Sequence, residues 1–235
     1  MIMAEHVIKP IAHVRSDFST KFGIPRQAGI VPELESILVF EPEYRDPEAL
    51  RGIEGFSHFW LIWQFSGNLR QGFSPTVRPP RLGGNERLGV FATRSPFRPN
   101  ALGLSCVQLV GLEQMEGLGT VLRLRGADLM DGTPVYDVKP YVPYADCHPE
   151  ALSGFAADSG KTLKLSFAEG LEEKVPAEKL AALRGVLAND PRPRYQKDPE
   201  RVYAMEFASM EVKFSVSGEE LFVREINTIK KDTVS

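Results

Sequence analysis

Cysteine is scarce in this chain: Cys106 and Cys147 are the only two among 235 residues. They cannot build the disulfide framework of a small secreted domain, nor a four-cysteine zinc or iron–sulfur site. Long apolar runs are missing as well. The richest, FSHFWLIWQF from Phe56 to Phe65, falls well short of the roughly 18 residues at which a membrane helix becomes a candidate. The opening MIMAEHVIKPIAHVR has no basic stretch leading into an apolar run of about 7–15 residues, so no secretory signal is expected. Positive charge is not in excess. Lys and Arg number 28 against 31 Asp and Glu, a net charge of -3, which excludes a wholly basic, histone-like binder. These absences predict a soluble cytoplasmic protein without a membrane segment.

Several catalytic signatures are absent too. His6, His13, His58 and His148 follow neither the HExxH nor the zinc-deaminase spacing, so no metal is expected. There is no GxSxG elbow. Gly83-Gly84 leads into no Gly-Lys-Ser/Thr, which rules out a P-loop, and the dinucleotide fingerprint is missing. Residues 1 to 145 lack the long 3.6-residue period of a crossover helix, which disfavours a doubly wound fold.

What the chain does have is punctuation. Twenty glycines and 18 prolines are spread throughout, which suits short strands and ordered loops. Strands are expected at Ile8–Val14, Ser36–Phe40, Phe56–Phe65, Leu88–Thr93, Leu104–Leu112, Thr120–Leu124 and Val135–Val138, where residues alternate or are β-branched and aromatic. Some seven strands without helices to cover them must close or stack. After Tyr144 the pattern changes. A short helix is expected after Pro149 (PEALSGFAA), then a strand at Thr162–Phe167, a helix at Pro176–Ala188, and strands at Val202–Val216 and Leu221–Ile226. The prediction is a mainly β protein: an N-terminal closed β-barrel over residues 1–148 and a small C-terminal α+β domain over 149–235.

Chemistry concentrates in three places. Between residues 78 and 98 lie five arginines (Arg78, Arg81, Arg87, Arg94 and Arg98) against one acid, Glu86. Guanidinium forks suit phosphate and carboxylate oxygens, and Pro79, Pro80, Pro96 and Pro99 stiffen the loop that carries them. Either an anionic ligand or pairing with acids elsewhere accounts for this cluster. A second basic patch, Arg192, Arg194, Tyr195 and Lys197, combines an aromatic face for a base with cations for phosphates. Third, Asp128-Leu-Met-Asp131-Gly132-Thr133-Pro134 is either a capped turn or a source of a carboxylate, amides and a hydroxyl for a ligand.

At these segments the chain resembles a known family. The strings Phe22-Gly-Ile-Pro25-Arg26-Gln27, Arg51-Gly-Ile-Glu54, Phe56-Ser-His58, Pro75-Thr-Val-Arg-Pro-Pro-Arg-Leu-Gly-Gly-Asn85, Gly89-Val-Phe-Ala-Thr-Arg-Ser95, Phe97-Arg-Pro-Asn100, Asp131-Gly-Thr-Pro134 and Asp190-Pro-Arg-Pro193 are similar to those of bacterial tRNA (adenine-N6)-methyltransferases of the TrmO, or TsaA-like (YaeB-like), type. The resemblance spans residues 5 to about 225. It implies methyl transfer from S-adenosylmethionine to N6 of threonylcarbamoyl-adenosine at position 37, in the anticodon loop of threonine tRNAs, by a homodimer with an N-terminal β-barrel. By the same resemblance, cofactor contacts fall on Pro25, Arg26, Gln27, Ser66, Gly67, Arg94, Leu104, Asp131, Gly132 and Thr133. Enteric relatives carry His-Gln where this chain has Ser66-Gly67.

The implied reaction assigns roles. A ureido-like N6 is a poor nucleophile, so a nearby carboxylate helps by taking its proton; Asp131 is the first candidate, with orientation of the cofactor as its alternative role. Arg94 or Arg98 is expected to clamp the threonyl carboxylate. Arg78 and Arg81, with the second basic patch, are expected to hold RNA. Two rivals stay open: a non-catalytic RNA-binding β-barrel, and a metal-dependent phosphoester hydrolase using Asp128 and Asp131.

Overall fold

The computed structural model describes residues 6–66, 73–83, 85–157, 160, 162–192 and 198–229. Eight strands come first: β1 (Ala12–Arg15), β2 (Glu35–Phe40), β3 (His58–Gln64), β4 (Thr76–Val77), β5 (Leu88–Gly89), β6 (Leu102–Met115), β7 (Gly119–Arg125) and β8 (Pro134–Pro140). A single-turn helix α1 (Pro143–Asp146) follows, then β9 (Lys164–Phe167), α2 (Ala177–Ala188), β10 (Tyr203–Phe207), β11 (Met210–Ser217) and β12 (Glu220–Thr228).

The mainly β reading with a small α+β region describes the molecule. The barrel expected over residues 1–148 closes, β8 pairing back with β1, but its strand set and the width of that closure need correction. Six strands, not seven, form the main sheet, in the order β1-β2-β7-β6-β3-β8. Its last strand returns to its first over only two residue pairs, Ala12↔Val135 and His13↔Pro134, whereas β3 and β6 share seven. Bulges at Leu109/Gly111 and Ile62/Trp63 interrupt two further ladders. The result is a strongly curved sheet with a narrow seam, because twist and bulges bend strands away from even pairing. Alternation explains the inside. β3 buries Phe59, Leu61 and Trp63 and turns Trp60, Ile62 and Gln64 outward, and Leu38, Val107, Leu122, Leu124 and Val135 complete this core.

Three expected elements differ. The strand at Leu88–Thr93 is only β5, paired with β4 as a separate ribbon, and Val90–Ala92 turns away. The stretch after Pro149 holds one short turn, Gly154–Ala156, and the helical turn lies earlier, at α1. The long strand Val202–Val216 is a hairpin, β10 and β11, joined through Ala208 and Ser209, both at positive φ (47° and 61°).

The C-terminal sheet runs β10-β11-β12-β9, with β9 parallel to β12. Leu183 and Leu187 of α2 are fully buried against Phe207, Phe214 and Val223. This second core also takes Phe18, Val31 and Leu34 from the segment between β1 and β2. An Asp17–Lys179 ion pair at 2.6 Å adds to that junction.

Candidate active site

A cavity of about 640 Å³ opens where the end of β3, the start of β6, the β7–β8 loop and the loops at 24–27 and 93–98 converge. Gly103, the partner of Trp63 across β3 and β6, makes the wall possible. A Cβ there would stand 2.3 Å from the Trp63 ring. The indole therefore lies flat on bare backbone, with Phe65 edge-on at 4.3 Å. Trp63 Nε1 donates to Ser105 Oγ at 3.0 Å, and Ser105 Oγ donates to Asp128 Oδ1 at 2.6 Å. Gly126, at φ 73°, lies against Gly29, whose N–H donates to the Gly126 carbonyl at 2.8 Å. This tight backbone crossing pins the Pro25–Gln27 loop to the loop carrying Asp128.

Electrostatics single out Asp128. Burial pushes its carboxyl above the ordinary value, while hydrogen bonds from Ser105 and backbone amides, including that of Ala28, and the Arg94 charge pull the other way. Desolvation dominates because an ionised carboxylate loses its hydration there.

Of the residues expected from sequence, Pro25, Arg26, Gln27, Ser66, Arg94, Arg98, Leu104 and Thr133 line this cavity. Arg94 donates to Gln27 Oε1, and Gln27 to the Arg26 carbonyl. Arg26 Nη2 reaches the Arg192 carbonyl at 3.2 Å. Asp131 and Gly132 do not line the cavity, and both are exposed. The Asp131 carboxylate accepts from the Ser16 amide at 3.1 Å, and the amides of Asp131 and Gly132 donate to Phe18 and Val14. The Thr133 hydroxyl donates to the Met130 carbonyl at 2.7 Å. Arg98 Nη1 donates to the carbonyls of Thr93 and Val90 at 2.7 and 3.3 Å, so it holds its own loop. Arg192 forks onto Asp190 at 2.8 and 2.9 Å. Arg78 is exposed on the β4–β5 ribbon. Gly67, Arg194, Tyr195 and Lys197 lie outside the described residues, as does the Arg81 side chain.

Among the described residues no three His, Cys, Asp or Glu side chains are grouped to hold a metal ion. No helix among them is long and apolar enough to cross a membrane.

Residues 13–147 match the model of the tRNA-methyltransferase O N-terminal domain, and residues 161–229 match the TrmO C-terminal domain. The chain belongs to the tRNA-methyltransferase O family. The Escherichia coli K12 protein named tRNA (adenine(37)-N6)-methyltransferase is 39% identical over 234 residues, covering 95% of this chain and 99% of the relative. A Pseudomonas aeruginosa PAO1 protein, named a putative S-adenosylmethionine-dependent methyltransferase, is 42% identical over 217 residues, covering 88% and 91%. The crystal structure of TrmO from Pseudomonas aeruginosa superimposes with a TM-score of 0.77 at 34% identity, covering 95% of this chain and 100% of that one.

For a tRNA-methyltransferase O family member, sequence reasoning passed over much of this wall. Trp60, Ile62, Trp63, Gln64 and Phe65 line the cavity, yet an apolar strand reads simply as core. Trp63 opposite Gly103 carries a usable signal, since a glycine inside a strand marks a close approach. Asp128 and Asp131 look equivalent in sequence. Only the fold turns one into the cavity and ties the other to the Ser16 amide.

Proposed function

We propose that this chain transfers a methyl group from S-adenosylmethionine to N6 of threonylcarbamoyl-adenosine at position 37 of tRNA, threonine tRNAs first among them. The observation that carries this reading is the cavity itself, which joins an aromatic wall, a buried carboxylate and a guanidinium on one space of about 640 Å³. That lies within the usual range for small-molecule sites. The lining fits the cofactor's parts. Trp63 and Phe65 offer faces to an adenine or a sulfonium, Asp128 accepts from an ammonium, a ribose hydroxyl or an N–H, and Arg94, oriented by Gln27, meets a carboxylate. The name carried by the Escherichia coli relative, tRNA (adenine(37)-N6)-methyltransferase, supports N6 of adenine 37 as the acceptor.

The cofactor supplies an activated methyl on sulfonium; the chain positions, excludes water and handles one proton. Asp128 is the group we assign to that proton. Burial raises its proton affinity above that of an ordinary carboxylate, the direction that favours a proton acceptor, and Ser105, held by Trp63, fixes one of its oxygens. Asp131 keeps the Ser16 segment in place. Arg94 is the clamp for the substrate's threonyl carboxylate. Arg98 acts one step back, by holding the loop that carries Arg94. A homodimer belongs to the same proposal, and sedimentation equilibrium tests it.

The deciding experiment is methyl incorporation from labelled S-adenosylmethionine into threonine tRNA, with and without its threonylcarbamoyl group. Label only in the modified tRNA is the expected result. Equal label in both removes the substrate assignment, and none in either removes the reaction.

A further inference from the structure

Beside the cavity the β4–β5 ribbon carries a feature that its core does not explain. Phe73 and Phe91 are 51% and 71% exposed, yet their rings are ordered against each other, with centroids 6.1 Å apart and planes inclined by 23°. The Arg98 guanidinium sits 5.6 Å from the Phe91 centroid. Its bonds to the Val90 and Thr93 carbonyls lock the turn from which Phe91 projects. Val90 is fully buried, and its amide donates to the Pro75 carbonyl at 3.0 Å, so the turn is anchored from below as well. Two phenylalanines with this much open face waste apolar area in water unless something covers them.

The surroundings say what covers them. Val77 pairs with Leu88, so Arg78 and Arg87 follow as neighbours at one end of the ribbon. Both are exposed. Phe73 and Phe91 flank the other end, five and four positions along the chain from Arg78 and Arg87, with Phe91 in the Val90–Ala92 turn. Glu86 is the lone acid from residue 73 to residue 98. A flat ring with a cation beside it and further cations a few nucleotides away is how proteins hold unpaired bases: stacking on the aromatic, with the phosphates running along the arginines. A membrane surface or an apolar partner would not call for a guanidinium over the Phe91 ring and two more exposed arginines on the same ribbon. Thr93, Arg94, Pro96 and Arg98 of the same loop line the cavity, so a base held on Phe91 is a near neighbour of one held inside.

We propose that Phe73 and Phe91 form a stacking platform for an unpaired nucleobase of the RNA substrate, adjacent to the reacting one, whose backbone continues along Arg78 and Arg87. The proposal rests on RNA being the substrate, as argued above, and adds where and how a second base is gripped.

The test uses the full-length chain, a labelled threonine-tRNA anticodon stem–loop, and fluorescence anisotropy. Phe91→Ala is expected to weaken binding about 5- to 100-fold, the span of a lost base–aromatic stack. Phe91→Trp should restore it, and the affinity for S-adenosylmethionine should not change. A stem–loop made abasic at the stacked position should bind wild type and Phe91→Ala equally, which a merely structural role for Phe91 would not produce. Arg78→Ala and Arg87→Ala should each flatten the salt dependence by about one unit of slope, whereas Phe91→Ala leaves that slope alone. Wild-type affinity in Phe91→Ala overturns the platform. So does a change in sedimentation on that substitution with tRNA affinity kept, which would make the patch a contact between copies of this chain. If wild type fails to methylate but Phe91→Ala still loses tRNA in the base-dependent way, the methyl-transfer reading falls and the platform stands.

Discussion

Asp128 and Gly103 each concentrate much of the site's chemistry in a single position. Asp128→Asn should lower kcat about 10²- to 10⁴-fold, the usual contribution of a positioned base, with the fold intact. Its effect on stability runs the opposite way. The carboxyl is raised in the folded state, so as pH climbs from about 3.9 the unfolded chain releases its proton first, and the native state loses stability until the folded group also ionises. The wild type therefore gives up stability over that window and the Asn variant does not. Melting curves of the two proteins from pH 4 to 8 should diverge with rising pH, the variant melting higher; parallel curves would show that Asp128 is not desolvated. Gly103→Ala forces the Trp63 indole off its seat, since a methyl 2.3 Å from the ring cannot be accommodated. We expect about 1–3 kcal/mol of destabilisation together with weaker binding of S-adenosylmethionine by calorimetry. Gly103 could be read from sequence as a close approach, but Asp128 could not. What distinguishes it from Asp131 is contact with Ser105 and Ala28, far along the chain and brought near only by the fold.

At the scale of elements, alternation was a sufficient guide wherever one face of a strand meets the core. β2, β3, β6, β7 and β8 all fall within or across the ranges their patterns predict, and α2 lies inside Pro176–Ala188 with Leu183 and Leu187 inward. Failures occurred where the deciding feature has no strong local signal. The β10–β11 turn uses Ala208-Ser209, with φ of 47° and 61°, in place of the Asn-Gly or Asp-Gly that normally announces such a hairpin. The apolar run Val202–Val216 therefore reads as one strand. It folds because Phe207 and Met210 pair across the turn and both are buried. That arrangement leaves strain that glycine would relieve. Ser209→Gly should stabilise by about 1 kcal/mol, raising Tm by about 2–4 °C in a chain of this size, with methyl transfer unchanged; an equal or lower Tm would mean that the added freedom of the unfolded glycine outweighs the relief. Leu88–Thr93 failed for a different reason. Its β-branched and aromatic composition suits a strand, but the segment sits at the sheet's margin, where Val90–Ala92 turns to present Phe91 and Arg94.

For the whole molecule, the joint between its two cores matters more than either core alone. The segment between β1 and β2 leaves the first sheet, buries Phe18, Val31 and Leu34 in the C-terminal core, and between those anchors carries Pro25, Arg26 and Gln27 into the cavity. Phe18 meets Phe207 edge-on at 5.4 Å, and the Arg192 carbonyl receives Arg26. Nothing in the local pattern of residues 16–34 reveals this, because the apolar side chains there find partners well over a hundred positions later. The C-terminal unit thus bears on the proposed cofactor site through the segment it grips. Phe207→Ala should cost about 3–5 kcal/mol as a core truncation and, by loosening Phe18, should also weaken S-adenosylmethionine binding. Phe214→Ala is the matched control. Phe214 is equally buried in the same core, but its ring stacks on Tyr203 at 5.6 Å. It should lose comparable stability and retain more of the cofactor affinity when both are titrated well below their melting temperatures. Equal losses of affinity would mean that the C-terminal core supports the site only by keeping the chain folded. A larger loss for Phe207→Ala would make the Phe18 segment the mechanical link between a domain with no lining side chain among the described residues and the pocket proposed for methyl transfer.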